Sequence, residues 1–167
     1  MIIAGEFGHS ASSPWSFGLD GAEAMVSVED RLSGNGFMEW ARQWQKEGRI
    51  MLAGGPSLGV DADARVVLAR PHSEWSALRE AYSRLLGAVL GDLAMAATVP
   101  GGIHLIGGFA QAMLPHVDKG EFERGFRDSR RLRISVENVD VSVVVDVRNP
   151  ALIGAVAIGQ GRVVVGS

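Results

Sequence analysis

The sequence predicts an α/β domain, and three features carry that prediction. Ser73 to Thr98 places apolar residues at three-and-four spacing over about seven turns. Ile103 to Ile106 is a short apolar run followed by a Gly107-Gly108 turn and a helical pattern. Val141 to Val147 is a second apolar run, and Asn149-Pro150 after it opens a further helix by the first-turn preference for proline. Helices and strands interleave, which is α/β order.

Taken in order, Ile2-Ile3-Ala4 reads as a short strand leading into the loop Gly5-Glu6-Phe7-Gly8-His9. Asp20 caps a predicted helix that runs to about Leu32, with Glu29 in its last turn and Ser33-Gly34-Asn35-Gly36 as its end. Phe37, Trp40, Ala41 and Trp44 fall at helical spacing, so a second helix is expected over Phe37 to Glu47 with its aromatic stripe inward. Between Arg49 and Arg70 the signals mix, and Val60 to Leu68 reads as a short helix or a strand. Ala110 to Val117 is expected to be helical up to a break at Asp118-Lys119-Gly120. Glu121 to Asp128 forms another helix with Phe122 and Phe126 four apart, and the last helix ends near Gln160.

Composition narrows the function. The 167 residues carry 16 basic and 19 acidic side chains and 47% hydrophobic residues, which fits one soluble domain with its own core. A net charge of -3 offers no general attraction for nucleic acid or an anionic membrane surface. No segment approaches the roughly 20 consecutive apolar residues of a membrane helix, and no leader pattern is legible, so a cytoplasmic protein is expected. Cysteine is absent, which excludes disulfides, thiolate metal sites and thiol nucleophiles. Glycine is abundant, 22 residues, and sits in pairs at turns, so backbone turns are expected to matter to binding.

Several motifs fail on context. Gly55-Pro56-Ser57-Leu58-Gly59 has the spelling of a nucleophile elbow, but Val60-Asp61-Ala62-Asp63 follows where a helix is needed, and Pro56 removes an amide beside the serine. Gly54 to Gly59 has P-loop glycine spacing, yet Val60 and Asp61 stand where lysine and a hydroxyl residue belong. His104 and His116 have no ligand partner at local spacing and read as structural or exposed, and Asp61 and Asp63 read as solvated loop carboxylates. Arg124, Arg127, Arg130, Arg131 and Arg133 are interleaved with Glu121, Glu123 and Asp128, the pattern of a solvated helix face. Glu6 and His9 differ, because a glycine-flanked loop holds a carboxylate and an imidazole three residues apart. That pair suits neighbouring hydroxyls of a sugar or a hydrogen-bonded structural loop.

Four stretches in order carry a resemblance: Gly5-Glu6-Phe7-Gly8-His9, Val28 to Gly36 with Leu32-Ser33-Gly34 at its centre, Gly101 to Gly108, and Asn149 to Ala155. With the long helix before Gly101, the sequence resembles the second half of bacterial glucokinases, members of the hexokinase and actin-like ATPase superfamily. The resemblance implies an actin-like, ribonuclease H-like α/β fold, a mixed sheet with flanking helices, in one sugar-binding domain over residues 1–167. It implies Glu6, His9 and Glu29 as ligands of glucose or a related hexose, and Gly107, Gly108 and Phe109 at the adenosine-binding turn. ATP and Mg2+ are implied for the complete enzyme, with neither held tightly by these residues alone.

Departures from the family pattern are equally informative. Family members carry an Asp-x-Gly-Gly-Thr phosphate loop, a catalytic aspartate and a second phosphate turn before the Glu-x-Gly-His loop, and the 167 residues contain none of these. Phosphoryl transfer requires those parts, so the expectation is a C-terminal domain inactive alone, with a kinase N-terminal half as a possible partner in trans. A noncatalytic sugar-binding or regulatory protein derived from such a kinase is the alternative. Phe7 replaces an expected glycine, and the absence of cysteine separates the chain from sugar kinases with a zinc loop. The apolar face Leu152, Ile153, Val156 and Ile158 lacks a packing partner in this reading, so a homo-oligomer is expected.

Overall fold

The computed structural model describes residues 29–52, 58–96, 102–127 and 140–143. Glu6, His9, Ser57, Arg130, Arg131, Arg133 and the expected first strand and last helix lie outside the described residues.

Helix α1 (Glu29–Leu32) gives way to α2 (Gly34–Lys46) across a single residue, Ser33. Ser33 is extended, with φ -74° and ψ 164°, and its hydroxyl accepts the Gly36 amide at 3.0 Å. A side-chain acceptor for an otherwise orphaned amide starts a helix. The expected break over Ser33 to Gly36 is therefore corrected: Asn35 and the two glycines form the first turn of α2. The predicted stripe faces inward as expected, with Phe37, Trp40, Ala41 and Trp44 buried. Trp40 and Trp44 meet edge to face at 5.5 Å, and Arg49 covers Trp44 at 3.6 Å from the ring centroid.

The ambiguous segment resolves into a loop and then a one-turn helix, α3 (Arg65–Leu68), whose Val67 and Leu68 are buried. Asp63 holds its entry by accepting the Arg65 amide at 2.9 Å. Helix α4 (His72–Ala96) is the long element predicted, with non-helical backbone at Trp75 (φ -139°, ψ 24°). The Trp75 indole is fully buried and donates to the Arg70 carbonyl at 3.2 Å.

Strand β1 (Ile103–Leu105) pairs in parallel with β2 (Val141–Val143), Ile103 opposite Val141. Parallel neighbours need a crossover. Here the intervening chain holds α5 (Gly108–Met113), a 3-10 turn (Leu114–His116) and α6 (Lys119–Arg127). The expected break at Asp118-Lys119-Gly120 contracts to Val117-Asp118, because Asp118 caps α6 by accepting the Glu121 amide at 3.0 Å. Two parallel strands are the whole sheet among the described residues.

Helix α6 lies against α4 at backbone contact. A Cβ on Gly87 would meet the Phe122 carbonyl, one on Gly91 the Phe126 carbonyl, and one on Gly125 the Arg84 carbonyl. Arg79 and Arg84 on α4 then reach Asp118 and Glu121, each at 2.7 Å. Phe37, Trp40, Trp75, Leu78, Leu85 and Met113 share the main core, while Leu90, Ile103 and Phe126 form a second cluster beside the strands. No helix among the described residues is long and apolar enough to cross a membrane.

Candidate functional site

The predicted strand, glycine turn and helix fold as a unit at the edge of the main core. Gly107 separates β1 from α5 with φ 140° and ψ 153°, a conformation that a side chain disfavours. Gly108 opens α5, and a Cβ at either glycine would meet only open space. Backbone is therefore exposed to approach at this turn. Phe109 anchors the helix behind it, with its ring 5.5 Å from Phe37 and 5.9 Å from Tyr82. Burial pushes the Tyr82 phenol far up, so it stays neutral, and its hydroxyl donates to the Leu32 carbonyl at 3.3 Å.

Opposite this turn stands the outward face of α2. Asn35 and Glu39 are exposed, one helical turn apart, and line a cleft of about 810 Å³ with Gly108 and Phe109. The loop before α3 closes the remaining side. Arg42 fixes that loop by donating to the carbonyls of Gly59 at 3.0 Å, Val60 at 2.6 Å and Ala62 at 3.4 Å. Gln45 adds an acceptor for the Leu58 amide at 2.8 Å. Three carbonyls converging on one guanidinium shape a wall that sequence spacing does not reveal.

Asp63 in the cleft wall is held below the ordinary carboxylate range by the Arg65 amide and then by the Arg65 side chain. Arg65 is engaged with that carboxylate at 3.1 Å, and Arg42 directs its donors at backbone. The side chains of Glu39 and Asn35 have no hydrogen-bond or charge partner among the described residues. The cleft thus presents side-chain acceptors without a partner among the described residues, beside an accessible glycine backbone.

Of the residues singled out by sequence, Gly108 and Phe109 line this cleft and Gly107 leads into it. Glu29 lies in α1, in the last turn before Ser33 as expected. Its expected companions Glu6 and His9 lie outside the described residues. Arg124 and Arg127 pair with Glu121 at 2.7 Å and Glu123 at 3.9 Å, in keeping with a solvated face. His104 meets the Ser142 hydroxyl at 2.7 Å across the strand pair. His116, read from sequence as lacking a partner, faces His72 at 2.9 Å. No group of three or more His, Asp or Glu side chains converges as a metal site among the described residues. Asn35 and Glu39 were missed, although their position opposite the aromatic stripe was a legible signal; Arg42 was missed because its carbonyl partners lie 17 to 20 positions away.

The glycine turn and its cleft occur in a sequence that matches the Glucokinase family over residues 17–161. The chain belongs to the glucokinase family. A glucokinase of Aromatoleum aromaticum is 30% identical over 162 residues, which cover 92% of this chain and 47% of that protein. A glucokinase of Rhizobium meliloti is 29% identical over 137 residues, 75% of this chain and 38% of the relative. A shorter match to a glucokinase of Synechocystis is 34% identical over 76 residues, 46% of this chain and 21% of the relative. The chain spans less than half the length of these glucokinases. No solved structure matches significantly. Membership of the glucokinase family implies the actin-like ATPase fold, of which the described residues show the interleaved helices and one parallel strand pair.

Proposed function

We propose that the chain is the sugar-binding, C-terminal part of an ATP-dependent glucokinase, built on an actin-like mixed sheet with flanking helices. Glu6, His9 and Glu29 take hydroxyls of glucose, and Gly107, Gly108 and Phe109 receive the nucleotide. The observation that carries the nucleotide side is the Gly107-Gly108 turn, whose missing side chains leave backbone open beside a cleft of about 810 Å³. Such a turn lets a flat, bulky ligand approach more closely than any side chain would permit. The sugar side rests on residue types: carboxylates and an imidazole suit hydroxyl groups.

In the complete reaction the γ-phosphoryl group leaves ATP, a new phosphorus–oxygen bond forms to the sugar 6-hydroxyl, and that hydroxyl's proton passes to a base. Mg2+ supplies charge neutralisation on the phosphates. The 167 residues lack the Asp-x-Gly-Gly-Thr loop and its aspartate, so alone they bind without turnover. A kinase N-terminal half, of the kind the family pattern places before the Glu-x-Gly-His loop, provides both. A coupled ADP-release assay with glucose tests this: the chain alone is flat and the mixture with such a half is active. Turnover by the chain alone overturns the assignment of the base to another segment.

A further inference from the structure

We propose that Glu39 is a ligand of the nucleotide's ribose, accepting hydrogen bonds from its vicinal 2′- and 3′-hydroxyls. The inference rests on the nucleotide reading of the Gly107-Gly108 turn and adds to it a residue and a part of the ligand.

Four observations lead there. Glu39 is exposed and lines the same cleft as Gly108 and Phe109. Its carboxylate has no ion-pair or hydrogen-bond partner among the described residues. The two guanidinium groups of the same cleft are committed elsewhere, Arg42 to three backbone carbonyls and Arg65 to Asp63. Finally, among the described residues of the lining, Glu39, Asp61 and Asp63 outnumber Arg42 and Arg65, which leaves that lining net negative.

A net negative cleft with its cations engaged repels a triphosphate and favours the uncharged end of a nucleotide. The nucleoside therefore enters here and the phosphates point away. Within the nucleoside, a carboxylate fits adjacent hydroxyls best, because each of its oxygens accepts a proton from one of them and no lone pair faces another acceptor. Such bonds to a charged group are among the stronger hydrogen bonds. Asn35, one turn earlier on the same face, is placed to bond the neighbouring part of the nucleoside.

Isothermal titration of the whole chain with ATP, 2′-deoxy-ATP and 3′-deoxy-ATP tests the proposal, with Glu39→Ala as the variant. Glu39 is exposed, and its replacement leaves the melting temperature without ligand unchanged. The unaltered chain binds each deoxynucleotide about tenfold or more weakly than ATP, the size expected when a hydrogen bond to a charged group is lost. Glu39→Ala, which loses both hydrogen bonds, binds ATP at least as weakly as the unaltered chain binds either deoxynucleotide and no longer distinguishes the three. Equal affinity of the unaltered chain for all three, or an equal loss for all three in Glu39→Ala, overturns the ribose assignment while the nucleotide reading stands. Absence of binding by any of them overturns both.

Discussion

Nε2 of His72 lies 2.9 Å from Nδ1 of His116, joining the first turn of α4 to the 3-10 turn after α5. Trp75 stands against both rings, 5.6 Å from each. At that separation one imidazole donates and the other accepts, and two imidazolium rings would repel. Burial, then His72, then Arg79 lower the His116 pKa from its ordinary 6.5.

A histidine whose folded pKa is lowered stabilises the protein above the unfolded value of 6.5, and that stability is lost as pH falls through the lowered folded value. Thermal melts followed between about pH 8 and pH 5 are expected to show the melting temperature falling on the acid side. His116→Phe, which keeps a ring against Trp75, flattens that fall. An unchanged slope in the variant contradicts the assignment to His116. Asp118 titrates in a separate window: its carboxyl is held low chiefly by the Glu121 amide, so its contribution disappears only below the ordinary 3.8.

Gly125→Ala is expected to be among the most damaging small substitutions in the chain. Its new methyl group would collide with the Arg84 carbonyl, and backbone against backbone cannot rotate away. Overpacking of this kind costs about 3 kcal/mol or more. Gly59→Ala is the control, since nothing lies within 4 Å of a Cβ there, and it shifts stability by about 0.5 kcal/mol or less. Urea denaturation of both variants measures the difference.

Arg42→Met keeps the aliphatic stem on α2 and removes the donors that hold Gly59, Val60 and Ala62. The expected cost is about 1–2 kcal/mol, the range of a few partly exposed charge-assisted hydrogen bonds. Limited proteolysis is expected to cut the segment between Leu58 and Ala64 faster in the variant. Equal cutting rates would mean that the loop is held by its buried residues alone.

These contrasts mark what sequence patterns could supply. The inward stripe Phe37, Trp40 and Trp44 and the long α4 were legible because a period of 3.6 is a local property of one helix facing one core. The strand, Gly107-Gly108 turn and helix were legible for the same reason, each being a short-range signal. The helix break over Ser33 to Gly36 and that at Asp118 to Gly120 were overextended, since one capping side chain starts a helix among residues that otherwise favour turns. Arg42 and His116 were not legible in their roles. Their partners lie 17 to 20 and 44 positions away, and only tertiary packing brings them together. The cleft was half legible: its glycine wall is a motif, whereas Glu39 is one exposed acid among several.

The sugar site is tested most directly by calorimetric titration of the folded chain with glucose, beside Glu29→Gln. Saturable heat with one glucose per chain is expected, abolished in the variant while its circular dichroism is unchanged. No heat at millimolar glucose from a folded sample, or equal heat from Glu29→Gln, would contradict it.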